Sequence, residues 1–171
     1  LSDLLNGQIT SLDAILERAS LLQWDLKKPY AVASFALEEA NFKKGQKGID
    51  AQRLAYEKLY TLLCAHFPES PMQVRTDQLI MLWGIHLAEG KNWLAAIEAQ
   101  LAKIISEWHK TQPKIKLQIG IGDMANEPIS LAKSFQEAKD TLKIMQNVPK
   151  MRAINAYPEL GAYRLLLEFP D

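Results

Sequence analysis

The stretch VRTDQLIMLW, Val74–Trp83, decides the fold of this chain. Its polar cluster, residues 75–78, separates the short segment MQV from the strongly apolar run LIMLW. A strand, a tight turn and a buried strand in succession are typical of a β-hairpin. Asp77 lies at the turn. The hairpin therefore raises two alternatives for this residue, a turn residue that bonds its own backbone or a metal ligand.

Upstream of the hairpin, the sequence predicts a strand followed by a helix. The run YAVASFAL, residues 30–37, is typical of a strand, and the basic loop NFKKGQKG follows it. Asp50 is a candidate N-cap for the next helix, which ends before Pro68 and Pro71. Its apolar positions include Leu54, Leu59, Leu62 and Leu63.

Downstream of the hairpin, helices and strands continue to alternate. A helix is predicted from Asn92, and KIKLQIGIG, residues 114–122, predicts a strand with one buried face and one polar face. A further helix covers residues 131–145, MRAIN predicts a short closing strand, and Pro158 is placed to begin a final helix. The order strand, helix, strand, strand, helix, strand predicts an α+β, ferredoxin-like or nucleotide-cyclase-like fold. We expect an antiparallel sheet with helices packed on one face, plus an N-terminal helical extension.

Composition restricts the class of function. Lys plus Arg and Asp plus Glu both number 20, so the chain lacks the basic excess that nucleic-acid binding by this chain alone would require. No apolar run approaches the length of a membrane span, and a cytoplasmic protein is expected. The chain begins without Met and stops after LLLEFPD, and both ends are interpreted as cuts through a longer protein.

Three segments carry a resemblance to a known family. RASLLQWDLKKPYAV is similar to the entry into the GGDEF-like middle domain of PucR/CdaR-type bacterial transcriptional regulators. LQIGIGDMANEPISLAKSFQEAKDTLKIM resembles the strand and helix of that domain, and GAYRLLLEFPD resembles its end. The resemblance implies a connector over residues 1–23 and a GGDEF-like domain over residues 24–171. It also implies a homodimer, and a C-terminal helix-turn-helix module, absent from this chain, through which the parent protein would bind DNA.

The same resemblance extends to diguanylate cyclases, whose Gly-Gly-Asp-Glu-Phe signature lies on the central hairpin. Here the signature falls on Arg75, Thr76, Asp77, Gln78 and Leu79, so that the Asp is its one retained residue. Glycines allow the backbone to approach a nucleotide closely, which Arg75 and Thr76 would hinder. An amide such as Gln78 is a poor ligand for a hard metal ion. We interpret the hairpin as a degenerate site, with no catalytic residue, no metal and no cofactor.

Other cyclase features are altered or weak. Glu38 and Glu39 could supply a second acid near the end of the first strand, in an uncertain register. His66 and Glu69 occupy the positions of the inhibitory Arg and Asp of cyclases, and a histidine is a poor substitute for the planar arginine fork. Lys43, Lys44 and Lys47 could attract an anion, but no helix is predicted directly after the loop glycines, and a solvated loop is favoured.

The expected function is that of a non-catalytic regulatory and dimerisation domain, which relays a sensed signal to an attached DNA-binding module. The alternatives are a sensor domain that binds a nucleotide or small metabolite, and an active diguanylate cyclase. The effector is unknown. Candidate interdomain or dimer contacts are the residues at the two ends of the domain: Trp24, Asp25, Tyr163, Leu165, Leu166 and Leu167.

Overall fold

A computed structural model describes Asn6 and residues 28–167 of the chain. The elements in this part follow the order predicted from the sequence. They are β1 (Tyr30–Glu38), α1 (Gly45–His66), β2 (Met72–Val74), β3 (Leu79–Gly84), α2 (Trp93–Thr111), β4 (Lys116–Ile121), α3 (Leu131–Asn147) and β5 (Ile154–Ala156).

The five strands form one sheet in the order β2-β3-β1-β4-β5. The central strand β1 pairs antiparallel with β3 and with β4, so that Phe35 lies between Leu79 and Ile119. The α+β class and the hairpin are confirmed. The expectation of a purely antiparallel sheet is corrected, because β4 and β5 are parallel. Helix α3 carries the chain back across the sheet before β5 begins, and such a crossover places two strands in parallel.

The first face of the sheet is covered by α1 and α2. Alternate side chains of β1, from Ala31 to Leu37, meet apolar side chains that recur at helical spacing. The members with no exposed surface are Leu59 and Leu63 of α1, and Ile97, Leu101 and Ile104 of α2. Leu59 and Leu63 belong to the apolar positions predicted for the first helix.

Helix α3 lies on the opposite face, which corrects the expectation that all helices share one face. The intervening residues of the central strands, Val32, Ile80 and Leu82, form a second apolar cluster with Leu131, Phe135 and Ala138 of α3. The central strands are therefore apolar on both faces. A single helical layer would leave the second apolar face in water, and α3 removes it from solvent.

Two glycines allow α3 to lie directly on β4. A Cβ atom at Gly120 would lie 2.6 Å from the carbonyl oxygen of Ala138, and one at Gly122 would lie 1.9 Å from that of Ser134. Gln118, on the same face, is buried at 5% exposure. The predicted polar face of β4 is therefore a helix contact. This face lacks large apolar side chains in the sequence because Gly120 and Gly122 contact backbone atoms of α3.

Ser134 connects α3 to the ends of two strands. Its hydroxyl oxygen accepts a hydrogen bond from the backbone N–H of Val32 (3.0 Å) and donates one to the carbonyl of Asp123 (2.7 Å). We expect Ser134→Ala to lower the free energy of unfolding by about 1–3 kcal/mol, because it leaves the buried N–H of Val32 and the carbonyl of Asp123 without their hydrogen-bond partner. Urea unfolding would measure this loss. Ser130→Ala is the matched control because Ser130 makes no capping hydrogen bond, and a loss as large in the control would contradict the assignment.

Glu137 gives the α3 contact a pH dependence. Its buried carboxylate accepts the backbone N–H of Asp123 at 3.4 Å. Burial is the largest influence and raises the pKa of Glu137. The hydrogen bond from the backbone N–H of Asp123 lowers this pKa, the charge of Asp123 raises it, and Lys133 and Arg164 lower it. A carboxyl whose pKa is higher in the folded than in the unfolded state contributes stability at low pH, and this stability is lost as pH rises through the folded pKa.

We therefore expect Glu137→Gln to reduce the loss of stability on going from about pH 4, just below the unfolded pKa of a glutamate, to about pH 8, because the amide accepts the same hydrogen bond without a charge. Urea unfolding of both proteins at the two pH values would test this. A variant that keeps the full pH dependence of the parent would contradict the role given to Glu137. Glu57→Gln on α1 is the control for loss of a surface carboxylate, since Glu57 is exposed.

Three boundaries differ from the sequence prediction. Helix α1 begins at Gly45 and not after Asp50, whose carboxylate instead accepts hydrogen bonds from Gln46 and Arg53 within the helix. The predicted strand MRAIN is shifted to Ile154–Ala156. The predicted final helix is two 3₁₀ segments, Tyr157–Glu159 and Gly161–Leu167, because Gly161, the first residue of the second segment, has a positive φ of 55°.

None of the helices in the described residues combines the length and the apolar character that crossing a lipid bilayer requires.

Candidate functional site

The hairpin between β2 and β3 closes through a two-residue turn. The backbone N–H of Arg75 donates to the carbonyl of Gln78 at 2.8 Å, so Thr76 and Asp77 form the tip. Among the described residues, Lys150 is the one non-glycine residue with a positive φ. Thr76 and Asp77 therefore adopt backbone conformations that any residue tolerates, and this turn does not need the glycines of the cyclase signature.

Tyr56 of α1 fastens the tip of the hairpin to the end of β1. Its hydroxyl accepts the backbone N–H of Leu37 at 3.0 Å and donates to the backbone carbonyl of Asp77 at 2.6 Å. Burial raises the pKa of Tyr56 to about 12, the hydrogen bond from Leu37 lowers it, and the nearby Asp77 charge raises it. The hydroxyl keeps its proton at neutral pH and remains a donor.

Gln78 is fastened to the central strand. The hydroxyl of Ser34, a fully buried residue of β1, donates to Oε1 of Gln78 at 2.7 Å. The next signature residue, Leu79, has no exposed surface and pairs with Phe35 across the sheet. Gln78, which stands where the cyclase signature has its second acid, is thus hydrogen-bonded to β1.

Arg75 reaches the opposite side of the sheet. Its guanidinium carbon lies 5.0 Å from the ring centroid of Phe135 in α3, and Nζ of Lys139 lies 4.5 Å from the same ring. A cation at this distance over an aromatic face is attracted by the ring quadrupole. The signature residues therefore contact α1, β1 and α3, on both faces of the sheet.

The carboxylates near the hairpin do not gather into a metal cluster. Glu38 is the last residue of β1 and lies opposite Lys116 of β4 in the strand register. Glu39 accepts a hydrogen bond from Asn41 at 2.7 Å. In the part of the chain that the structure describes, no group of three or more His, Cys, Asp or Glu residues is arranged to hold a metal ion.

The basic loop leads directly into a helix, which corrects the sequence interpretation. A 3₁₀ turn, Ala40–Lys43, precedes α1, so Lys47 lies in the first turn of the helix. Gly48 is required there, because a Cβ atom would lie 2.6 Å from the carbonyl oxygen of Asn41. The absence of a helix N-terminus therefore no longer argues against anion binding at Lys43, Lys44 and Lys47.

His66 and Glu69, which stand at the position of the inhibitory cyclase site, make different contacts in this chain. Nε2 of His66 lies 3.0 Å from a carboxylate oxygen of Glu107, so the end of α1 contacts α2. Glu69 lies in the loop before β2, beside a separate cavity. His66 thus contributes to helix packing.

The predicted contact residues at the two ends of the domain are described in part. Tyr163 and Leu165 are exposed, at 47% and 56%, and Leu167 is half-buried. Between them, Arg164 turns back to donate two hydrogen bonds to the carbonyl of Tyr157, at 3.3 and 2.9 Å. Trp24, Asp25 and the side chain of Leu166 lie outside the described residues.

Sequence reasoning found the hairpin but missed the residues that hold it, Tyr56 and Ser34. Tyr56 is part of an ordinary helical stripe, and no local signal distinguishes a buried tyrosine that bonds two backbone groups from one that fills the core. Ser34 is one small polar residue in the apolar run YAVASFAL. A polar residue inside a buried strand needs a hydrogen-bond partner, so the serine in this run could have indicated that such a partner lies beside it.

Comparison with known proteins gives one result at the level of the family. A family model described as the GGDEF-like domain matches residues 6–144, which include the hairpin, α1, α2, β4 and most of α3. A search among curated proteins gave no match. The chain belongs to the GGDEF-like domain family.

Proposed function

We propose that this chain is a non-catalytic regulatory and dimerisation domain of a cytoplasmic PucR/CdaR-type transcriptional regulator. The observation that carries the proposal is the fastening of the signature hairpin. Asp77, Gln78 and Arg75 engage Tyr56, Ser34 and Phe135, respectively. In this interpretation, the positions that a cyclase uses for chemistry act here as structural joints between the hairpin and three elements of the scaffold.

The mechanism we propose is conformational. A signal received upstream would alter packing around this domain within a homodimer, and so change the spacing of two attached helix-turn-helix modules. The hairpin supports this role because its joints span both faces of the sheet. A displacement of α1 or α3 would reach the hairpin through Tyr56 or Phe135.

The dimer is proposed to form through the C-terminal residues 163–167. Tyr163 and Leu165 support this because both are large apolar or aromatic side chains that remain exposed beside α3. Burial of such side chains stabilises an interface by roughly 25 cal/mol per Å² of apolar surface removed from water. Leu167 is proposed to belong to the same surface, and Trp24, Asp25 and Leu166 remain proposed interdomain or dimer contacts.

Light scattering on the chain tests the dimer. We expect a dimer for the parent protein and a shift towards monomer for Leu165→Glu, because a carboxylate cannot be buried in an apolar contact without a partner. The monomeric variant should remain folded, since Leu165 is exposed in the single chain, and its unfolding midpoint should equal that of the parent at concentrations low enough to dissociate the dimer. Ile49→Glu is the matched control, as Ile49 is 51% exposed on α1, which lies on the other face of the sheet. A parent protein that is monomeric at all accessible concentrations would contradict the dimer.

A further inference from the structure

Strand β5 is the last strand on its side of the sheet in the described part of the chain, so its outer edge has no neighbouring strand there. The carbonyl of Ala153 accepts the N–H of Ile119 at 2.8 Å, so Ala153 directs its backbone groups towards β4. Because successive residues of a strand alternate in this respect, the N–H and C=O of Ile154 point away from β4. Backbone groups that face outward at a sheet edge are a template for a further strand.

An apolar groove of about 470 Å³ runs between this edge and helix α2. Much of its lining is small or aliphatic: Ala95, Ala99, Ala102 and Ile105 of α2, and Ala153 and Ile154 beside the edge. The three alanines of α2 are exposed and the two isoleucines are half-buried, so a single chain leaves this apolar surface in water. Removing it from water would be favourable. An occupant would therefore add a strand to β5 and an apolar surface to α2.

A second copy of this chain meets both requirements. Helix α2 contacts β4 and β5, the last two strands of the sheet. If two copies of β5 pair across a two-fold axis, their α2 helices are separated by about two strand spacings, roughly 10 Å. Packed helices usually lie about 8–10 Å apart, and small side chains suit such a contact. An isolated extended peptide would pair with the edge but would supply no helix.

The charges that flank β5 favour an antiparallel arrangement of the two copies. In KMRAINAYPE, residues 150–159, Lys150 and Arg152 precede the strand and Glu159 follows it. Antiparallel pairing of this segment with itself places the basic end of each copy opposite the acidic end of the other. Within one copy, Nη2 of Arg152 and Oε2 of Glu159 lie 3.9 Å apart, and the side chains are 72% and 47% exposed. Such an exposed pair contributes little to stability and leaves both side chains available to a partner.

We propose that two copies of this domain pair antiparallel through the outer edges of β5, which joins their sheets and packs the two α2 helices over the junction. A contact of this kind is self-complementary and closes at two copies. The dimer is the one proposed above, so the edge contact rests on the proposed function. Arg164 donates to the carbonyl of Tyr157, the residue after β5, so the C-terminal residues 163–167 adjoin the same edge. One two-fold axis along this side of the sheet would bring both surfaces into the dimer.

Mixing two charge-reversed variants tests the proposal. Arg152→Glu and Glu159→Arg each place like charges at both ends of the interface, so the dissociation constant of the dimer should rise at least about tenfold for each variant alone. An equal mixture should form a heterodimer with about the affinity of the parent, because each end then carries one Glu and one Arg. Each single chain keeps like charges at positions 152 and 159, so recovery on mixing requires a contact between chains. Lys58→Glu, at an exposed position of α1, is the control and should leave the dissociation constant unchanged.

Hydrogen exchange at the backbone amide of Ile154 reports the strand pairing itself. We expect exchange of this amide to slow at least about tenfold at concentrations where the parent is a dimer, relative to dilute monomeric protein. The amide of Arg75, in the hairpin at the opposite edge of the sheet, should exchange at the same rate in both samples.

The outcomes separate this contact from the dimer on which it rests. A parent protein that is monomeric at all accessible concentrations overturns both, and leaves the edge of β5 to a strand of another protein. A parent dimer that Leu165→Glu dissociates, but that both charge reversals leave intact, overturns the edge contact alone. A dimer in which the Ile154 amide exchanges as fast as in the monomer also overturns the edge contact alone.

Discussion

Gly122→Ala is expected to destabilise the domain by about 3 kcal/mol or more, at the upper end of the cost of overpacking. The added Cβ would lie 1.9 Å from the carbonyl oxygen of Ser134 and 2.6 Å from its hydroxyl oxygen. Backbone atoms of a packed helix cannot rotate away as a side chain can. Helix α3 would have to move off β4, with loss of the hydrogen bonds that Ser134 makes to Val32 and Asp123. Urea unfolding, or recovery in the soluble fraction if the variant does not fold, measures the effect.

Gly45→Ala is the matched control. Gly45 has a positive φ of 64°, but nothing lies within 4 Å of an added Cβ. Alanine there should cost about 1–2 kcal/mol from the backbone conformation alone. The difference between the two variants isolates the close approach of α3 to β4. Equal losses would show that the helix does not lie directly on the strand.

Tyr56→Phe is expected to have the second large effect, a loss of about 1–3 kcal/mol in the free energy of unfolding. It removes one oxygen that serves two backbone groups, the N–H of Leu37 and the carbonyl of Asp77. The N–H of Leu37 would be left without its partner at a buried position, and the carbonyl of Asp77, an exposed residue at the tip, would lose its contact with α1. Hydrogen exchange should also quicken at the amides of Arg75 and Leu37, because the tip of the hairpin would be released from β1.

Asp77→Ala tests whether the contact between Tyr56 and the hairpin depends on the side chain of the signature residue. Tyr56 bonds the backbone carbonyl of Asp77, which alanine retains. The substitution should therefore change stability by no more than about 0.5 kcal/mol. Tyr60→Phe controls for loss of a tyrosine hydroxyl on the same helix, since Tyr60 is 42% exposed. A stable Tyr56→Phe, or an Asp77→Ala as damaging as Tyr56→Phe, would contradict the joint.

The hairpin and the strand and helix order were predictable from the sequence because they rest on local patterns. LIMLW is long enough and apolar enough to be a buried strand, and the stripes of α1 and α2 repeat at 3.6 residues. The position of α3 was not predictable by the same means. The alternation of β4 indicates an exposed second face, and no periodicity reveals that Gly120 and Gly122 are small because a helix backbone lies on them.

The candidate site was predictable in location but not in its contacts. Asp77, Gln78 and Arg75 were identified by their register against a family signature, whereas Tyr56, Ser34 and Phe135 approach from three elements distant in sequence. Such contacts depend on tertiary packing. The start of α1 was missed for a related reason. Gly45 and Gly48 suggest a loop by propensity, but a positive φ and a close contact with Asn41 require glycine at the beginning of this helix.

We propose that this hairpin is a structural joint and does not act on a nucleotide. Incubation of the chain with GTP and Mn²⁺, followed by chromatography of the nucleotides, tests this claim. We predict no cyclic dinucleotide and no consumption of GTP above the rate without protein, both for the parent and for Asp77→Ala. Formation of a cyclic dinucleotide by the parent that is lost in folded Asp77→Ala would contradict it.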